Sequence, residues 1–249
     1  MRRLGILGGM AWPSTADLYR RINQGVAARL GGAHSAPLII WSLDFAEIEA
    51  CQVAGDWDTA GRLLADAARR LEVAGAEGLL LATNTMHRVA EAIEAAADVP
   101  LLHLADVTAA RIRADGVERV GLLGTRFTME QDFYRGRLAD HHLDVLVPEV
   151  AGRAEVHRII YDELIHGEVR ADSRAALLGV IDALVAKGAR GIVAGCTELE
   201  LLVAAEDVED VEVAWYPTTA LHAQAAVEFV LGVDPEVPPG GDGESGVRP

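Results

Sequence analysis

The sequence predicts an α/β protein built as two pseudo-symmetric parallel-sheet domains that face one central cleft. Three observations predict this. Short β-branched or leucine-rich runs alternate with longer helical patterns along the chain. Two pairs of segments repeat in order at nearly one offset. One of these pairs ends a buried run in small polar residues, at the strand end where α/β sheets bind their ligands.

The expected strands are Leu4–Leu7, Leu38–Leu43, Gly78–Ala82, Leu101–Leu104, Arg119–Leu123, Asp144–Val147, Gly191–Ala194 and Val211–Tyr216. Helices are expected between them. Leu63, Leu64, Ala67 and Leu71 share one face of a 3.6-residue period, as do Leu177, Leu178, Ile181, Leu184 and Val185. From Asp234 onward the chain is rich in proline, glycine and acid, without apolar periodicity, and reads as a disordered tail.

The repeat aligns Gly75-Ala76-Glu77-Gly78-Leu79-Leu80-Leu81-Ala82-Thr83-Asn84-Thr85 with Gly188-Ala189-Arg190-Gly191-Ile192-Val193-Ala194-Gly195-Cys196-Thr197-Glu198. Upstream, Leu4-Gly5-Ile6-Leu7-Gly8-Gly9 aligns with Val120-Gly121-Leu122-Leu123-Gly124-Thr125. The offsets are about 113 and about 116 residues, which points to a duplicated α/β half. If the halves face each other, Thr83 and Cys196 stand on opposite walls of one cleft.

Composition narrows the function. The net charge of -16, from 22 basic and 38 acidic residues, argues against nucleic acid, which needs a basic face. An anionic substrate must therefore be met by local donors. No apolar run reaches the ~18 residues of a membrane span. The opening Met1-Arg2-Arg3-Leu4 leads into a first strand rather than a signal peptide, so a cytoplasmic protein is expected. The two cysteines, Cys51 and Cys196, make neither a zinc pattern nor a disulfide framework. No metal and no cofactor is expected.

Two acid/base groups on opposite walls of a cleft suit removal of a Cα proton from one face and its return to the other. A cysteine can serve, since its pKa lies near about 8.5 and an electropositive pocket lowers it. Strand-end amides, with Asn84, Thr85 and Thr197 beside them, can hold a carboxylate and a carbanion's charge. Each candidate also has a plainer reading. Cys196 fits a buried structural thiol, and Thr83 a turn or cap residue. Asn84, Thr85, Thr197 and Glu198 fit helix caps as well as substrate ligands. Met10 fits cleft lining or packing, and Gln52 a distal-carboxylate ligand or a solvated side chain. Thr125 and Thr128 flank the strand end equivalent to Gly8-Gly9 and are further candidates for substrate contact. Cys51 has no counterpart in the repeat and reads as structural. His87 and His222 read as satisfied histidines near helix starts, and His141-His142 as an exposed helix end. Gly8-Gly9 lacks the spacing of a nucleotide loop.

Four segments, GGMAWPST, TNTMH, GTRFTMEQDFYRGRL and GCTELELL, resemble the aspartate/glutamate racemase family from Met1 to about Leu231. The likeness is closest to its L-aspartate/glutamate-specific branch. It implies two pseudo-symmetric domains: residues 1–104 with 210–232 as the first, 105–209 as the second, and 233–249 as the tail. It further implies no pyridoxal phosphate, no metal, a homodimer and a small acidic amino acid as substrate. Cys196 falls on the family's second catalytic cysteine, and Thr83 falls where most members carry the first. Threonine there matches the L-specific branch, but its hydroxyl is a poor base, so Cys196 must do most of the abstraction and the two faces should differ in rate. Three positions depart from the family: Ala11 stands for serine, Pro217 for aspartate, and His166, a candidate substrate ligand, for lysine. A single-cysteine decarboxylase or isomerase, and a non-turnover amino-acid sensor, are the competing functions.

Overall fold

The computed structural model describes residues 1–211 and 213–233. The chain runs β1 (Leu4–Gly8), α1 (Trp12–Leu30), β2 (Leu38–Ser42), α2 (Phe45–Ala54), α3 (Trp57–Val73), β3 (Gly78–Leu81), α4 (Ala90–Glu94), β4 (Leu101–Leu102) and α5 (Leu104–Ala114). It continues through β5 (Arg119–Gly124), α6 (Arg126–Glu130), α7 (Asp132–Asp140), β6 (Asp144–Leu146), α8 (Val150–Arg158), α9 (Ala171–Ala186), β7 (Gly191–Gly195), β8 (Ala214–Pro217) and α10 (Thr218–Leu231). All eight expected strands form; seven start at the expected residue, β8 starts three residues late, and the last residues differ by one or two. The expected tail falls almost wholly outside the described residues.

The strands make two four-stranded parallel sheets, ordered β2-β1-β3-β4 and β6-β5-β7-β8. One order becomes the other by adding four, so the duplication read from sequence is a duplication of topology. Register agrees as well. Leu4 pairs with Gly78 in the first sheet, and the aligned Val120 pairs with Gly191 in the second. β1, β3 and β7 are buried along their whole length, which explains their unbroken apolar runs.

The repeated glycines have matching jobs. Gly75 and Gly188 turn the chain into β3 and β7 at φ of 99° and 98°, a conformation costly for residues with a Cβ. Gly78 leaves room for the Phe229 ring, which a Cβ would meet at 2.4 Å. Gly191 does the same for the Tyr216 ring, at 2.5 Å. Each half therefore seats an aromatic from the C-terminal segment on the start of its third strand.

Helices cover both faces of each sheet. In the first half, α3 buries Leu64, Ala67, Ala68 and Leu71 against one face, while α1 and α10 bury Leu18, Ile22, Val26, Ala226 and Val230 against the other. In the second half, α8 and α9 cover one face with Val156, Leu177, Ile181 and Leu184. There α5 and α7 cover the other with Ala105, Ala109, Ile112, Tyr134 and Leu138.

The expectation that residues 210–232 return to the first domain is corrected in part. β8 pairs in parallel with β7, so the last strand stays in the second sheet; only α10 packs on the first half. The reason is the open edge of β7 together with the slot at Gly191, which accepts Tyr216 into the second core. Leu104 likewise packs in the second core rather than ending the first domain.

Candidate active site

Both catalytic candidates stand where a buried third strand runs out. Thr83 follows β3, with its N–H donating to the Leu81 carbonyl at 2.9 Å. Its own carbonyl accepts from His87 Nδ1 at 2.7 Å. Cys196 follows β7 in an extended conformation and precedes a short 3₁₀ turn, Thr197–Leu201. Strand tips β5 and β7 approach closely because both end in glycine: a Cβ at Gly124 would meet the Gly195 carbonyl at 2.8 Å, and one at Gly195 the Leu123 carbonyl at 2.7 Å.

Thr83 and Thr197, from equivalent loops of the two halves, line one cavity of about 20 Å³. Ser14, Asn84, Thr219 and His222 share its wall. That volume holds about one water. The Oδ1 of Asn84 and the Oγ1 of Thr219 are buried without a hydrogen-bond partner. Unsatisfied buried oxygens on a cavity wall carry a desolvation cost that a bound ligand or water would relieve.

The surroundings of Cys196 are acidic. Its Sγ donates to Glu198 Oε2 at 2.9 Å. Thr197 Oγ1 donates to the same oxygen at 2.6 Å, and Ser14 Oγ donates to Glu198 Oε1 at 3.2 Å. Burial pushes the Cys196 thiol well above the usual cysteine range, and the Glu198 carboxylate pushes it further. The expectation of an electropositive pocket is thus overturned. Chemically the pair is a thiol with a proton acceptor already in reach, rather than a resting thiolate. Burial also raises Tyr161, and raises Glu200, where Arg21 at 3.2 Å works the other way.

The remaining sequence candidates fall into three groups. Asn84, Thr85, Thr125 and Glu198 join the two halves. Asn84 Nδ2 donates to Thr218 Oγ1 at 3.3 Å, which in turn donates to the Ala194 carbonyl at 2.7 Å. Thr85 Oγ1 and Thr125 Oγ1 lie 3.4 Å apart. Thr128, Met10 and Gln52 are turned into packing. Thr128 is fully buried over Gly124 and Gly195, with its hydroxyl 3.3 Å from that of Thr125, so it supports that residue. Met10 is buried in the core with Leu7, Ile48 and Met86, and Gln52 Nε2 donates to the Met86 sulfur at 3.0 Å. His166 is exposed in a separate 3₁₀ turn, Leu164–His166, and is not on the cavity wall. Cys51 is half-buried against the first core.

Sequence reasoning missed Ser14, Glu200, Tyr161 and Thr219. Ser14 lies inside the segment GGMAWPST and was legible there as a hydroxyl in the first turn of α1. Tyr161 sits in a π-helical turn, Ile159–Glu163, with no local signature in the sequence.

Residues 7–226 match the Asp/Glu/hydantoin racemase family. The crystal structure of a proposed Asp/Glu racemase from Yersinia pestis is 52% identical, superposes with a TM-score of 0.89, and is covered over 100% of its length by 93% of this chain. An aspartate racemase homologue from Pyrococcus horikoshii OT3 is 31% identical over 93% of this chain and 100% of its own, with a TM-score of 0.81. An aspartate racemase from Picrophilus torridus shares the fold at 17% identity and a TM-score of 0.72, over 92% of this chain and 94% of its own. With a matching fold, paired strand-end loops and a family match across most of its length, the chain belongs to the Asp/Glu/hydantoin racemase family and is an isomerase of the racemase class.

Proposed function

We propose that the protein racemises an acidic amino acid, L-aspartate or L-glutamate, without pyridoxal phosphate, with Cys196 and Thr83 working on opposite faces of Cα. The carrying observation is that equivalent loops of the duplicated halves bring Thr83 and the residue after Cys196 to one cavity, while the Cys196 thiol already rests on the Glu198 carboxylate. Glu198 takes the thiol proton, the thiolate takes the Cα proton, and Thr83 relays a proton to the other face, regaining one from water as Glu198 returns its own to water. Asn84 Oδ1 and Thr219 Oγ1 then have a partner in the substrate's polar groups.

A cavity of about 20 Å³ is far smaller than an amino acid, so admission requires the halves to part. Among the contacts that must yield are Ser14 with Glu198, Arg21 with Glu200, Asn84 with Thr218, and Thr85 with Thr125. Thr83 is a far weaker acid and base than a thiol, so the two enantiomers should be deprotonated at unequal rates, while the equilibrium between them stays at one.

The test is incubation in heavy water with each enantiomer of aspartate and glutamate, following the Cα proton by NMR and inversion by chiral chromatography. Exchange with inversion, lost in Cys196→Ser, supports the reading; no exchange with any of the four refutes it. The single thiol also suits one-face protonation after a decarboxylation, and a change in carbon count would mark that reaction instead. No helix among the described residues is long and apolar enough to cross a membrane. A homodimer in the cytoplasm is the family-based reading, tested by sedimentation and by cell fractionation.

A further inference from the structure

Three histidines from distant parts of the chain meet behind the Thr83 loop. His87 follows that loop, His103 closes β4, and His222 comes from α10. The His87 ring lies 4.6 Å from that of His103 and 6.1 Å from that of His222, and all three side chains are at least nine-tenths buried. His222 reaches the cavity wall; His87 does not.

The hydrogen bonds of His87 determine its tautomer. Nε2 accepts from the Leu104 N–H at 3.1 Å, so the ring proton is on Nδ1, which donates to the Thr83 carbonyl at 2.7 Å. Leu104 opens α5, whose first N–H groups have no partner within the helix. The ring therefore ties the carbonyl of Thr83, in the first half, to the first amide of a helix in the second core. The Thr83 N–H is tied two residues back, to the Leu81 carbonyl.

We infer that His87 is a positioning residue for Thr83, holding the Thr83 hydroxyl at the reacting face by donating Nδ1–H to its carbonyl, while the Leu104 N–H on Nε2 fixes the tautomer that makes this donation. It acts through Thr83 and not on the substrate, so its loss should impair one face of Cα and spare the other. The inference rests on Thr83 working at one face, as proposed above.

The experiment uses the full chain as wild type, His87→Asn and His87→Gln. An asparagine amide can occupy the place of Nδ1 and keep the donation to Thr83; a glutamine reaches the place of Nε2 and keeps only the contact to Leu104. Inversion, Cα exchange in heavy water and Tm are measured with each enantiomer of aspartate and glutamate. His87→Asn should keep inversion within about threefold, whereas His87→Gln should lose about 100-fold, the usual cost of misplacing a group by an ångström. Cα exchange from the enantiomer that Cys196 deprotonates should persist in His87→Gln. The inference is overturned if inversion and exchange fall together in His87→Gln, or if both variants lose inversion in proportion to their Tm. If His87→Gln does not fold, His87→Asn decides alone: retained inversion supports the donation to Thr83, and lost inversion in a folded protein overturns it. A wild type that neither exchanges nor inverts any of the four substrates refutes the functional reading itself, and the inference with it.

Discussion

The Sγ of Cys196 lies 2.9 Å from Oε2 of Glu198, so a thiol and a carboxylate that accepts from it are two residues apart on one strand-end turn. The carboxylate stabilises the protonated thiol, and in the proposed reaction it is also the group that takes the proton. These two effects oppose each other at rest and cooperate in turnover.

Replacing Glu198 with glutamine separates them. Without the anion, the Cys196 thiol should ionise more readily, so iodoacetamide should label it faster at pH 8, as read by mass spectrometry with Cys51 as internal reference. Racemisation should nonetheless fall by about 10²–10⁴, the usual worth of a positioned acid/base group. Slower labelling, or unchanged turnover, would count against the role given to Glu198.

The pair across the halves, Arg21 and Glu200, should show its worth through pH. Glu200 is largely buried, and burial already raises its pKa. Arg21→Met removes the neighbouring cation, raising that pKa further above its unfolded value. The folded carboxyl then releases its proton at a higher pH than the unfolded chain does. The loss in stability, about 1–3 kcal/mol, should therefore be present at pH 7 and shrink toward pH 5. Urea unfolding at the two pH values measures it.

The histidine cluster makes the fold sensitive to acid. Burial lowers His103 and His222 to about 4. In the unfolded chain both titrate near about 6.5. Their neutral state costs nothing above that value. As pH falls from about 6.5 to about 4, the unfolded chain takes up protons that the folded chain refuses, at about 1.4 kcal/mol per pH unit for each histidine. Below about 4 their contribution levels off. Stability measured between pH 7 and 4.5 should slope downward, and His103→Gln should make the slope shallower.

The glycine slots should tolerate no side chain. Gly191→Ala would press a methyl onto the buried Tyr216 ring, at 2.5 Å before any relaxation. A stability loss of about 1–3 kcal/mol is expected by denaturant titration. Gly78→Ala should behave likewise against Phe229, and Phe229→Leu should relieve it in part. Equal stability of all variants would show that these rings shift freely.

The alternation of apolar runs and helical periods was enough to place all eight strands, because burial on both faces leaves a local imprint in residue type. The internal repeat was enough to align β3 with β7 and to set Thr83 and Cys196 at equivalent strand ends, because a duplicated fold keeps its glycine turns and small polar ends. Tertiary structure alone decided the rest. β8 joined the second sheet through an edge and an aromatic slot that no local pattern records. Thr128 and Met10, polar or flexible enough to suggest a site, were turned into packing by neighbours far along the chain. Ser14 reached Glu198 across 184 residues of sequence, and Arg21 reached Glu200 across 179. His87 reached Leu104 across the joint between the halves. Secondary structure answers to neighbours three or four residues away, whereas a site's charge and hydrogen bonding answer to whatever the fold brings within about 3 Å.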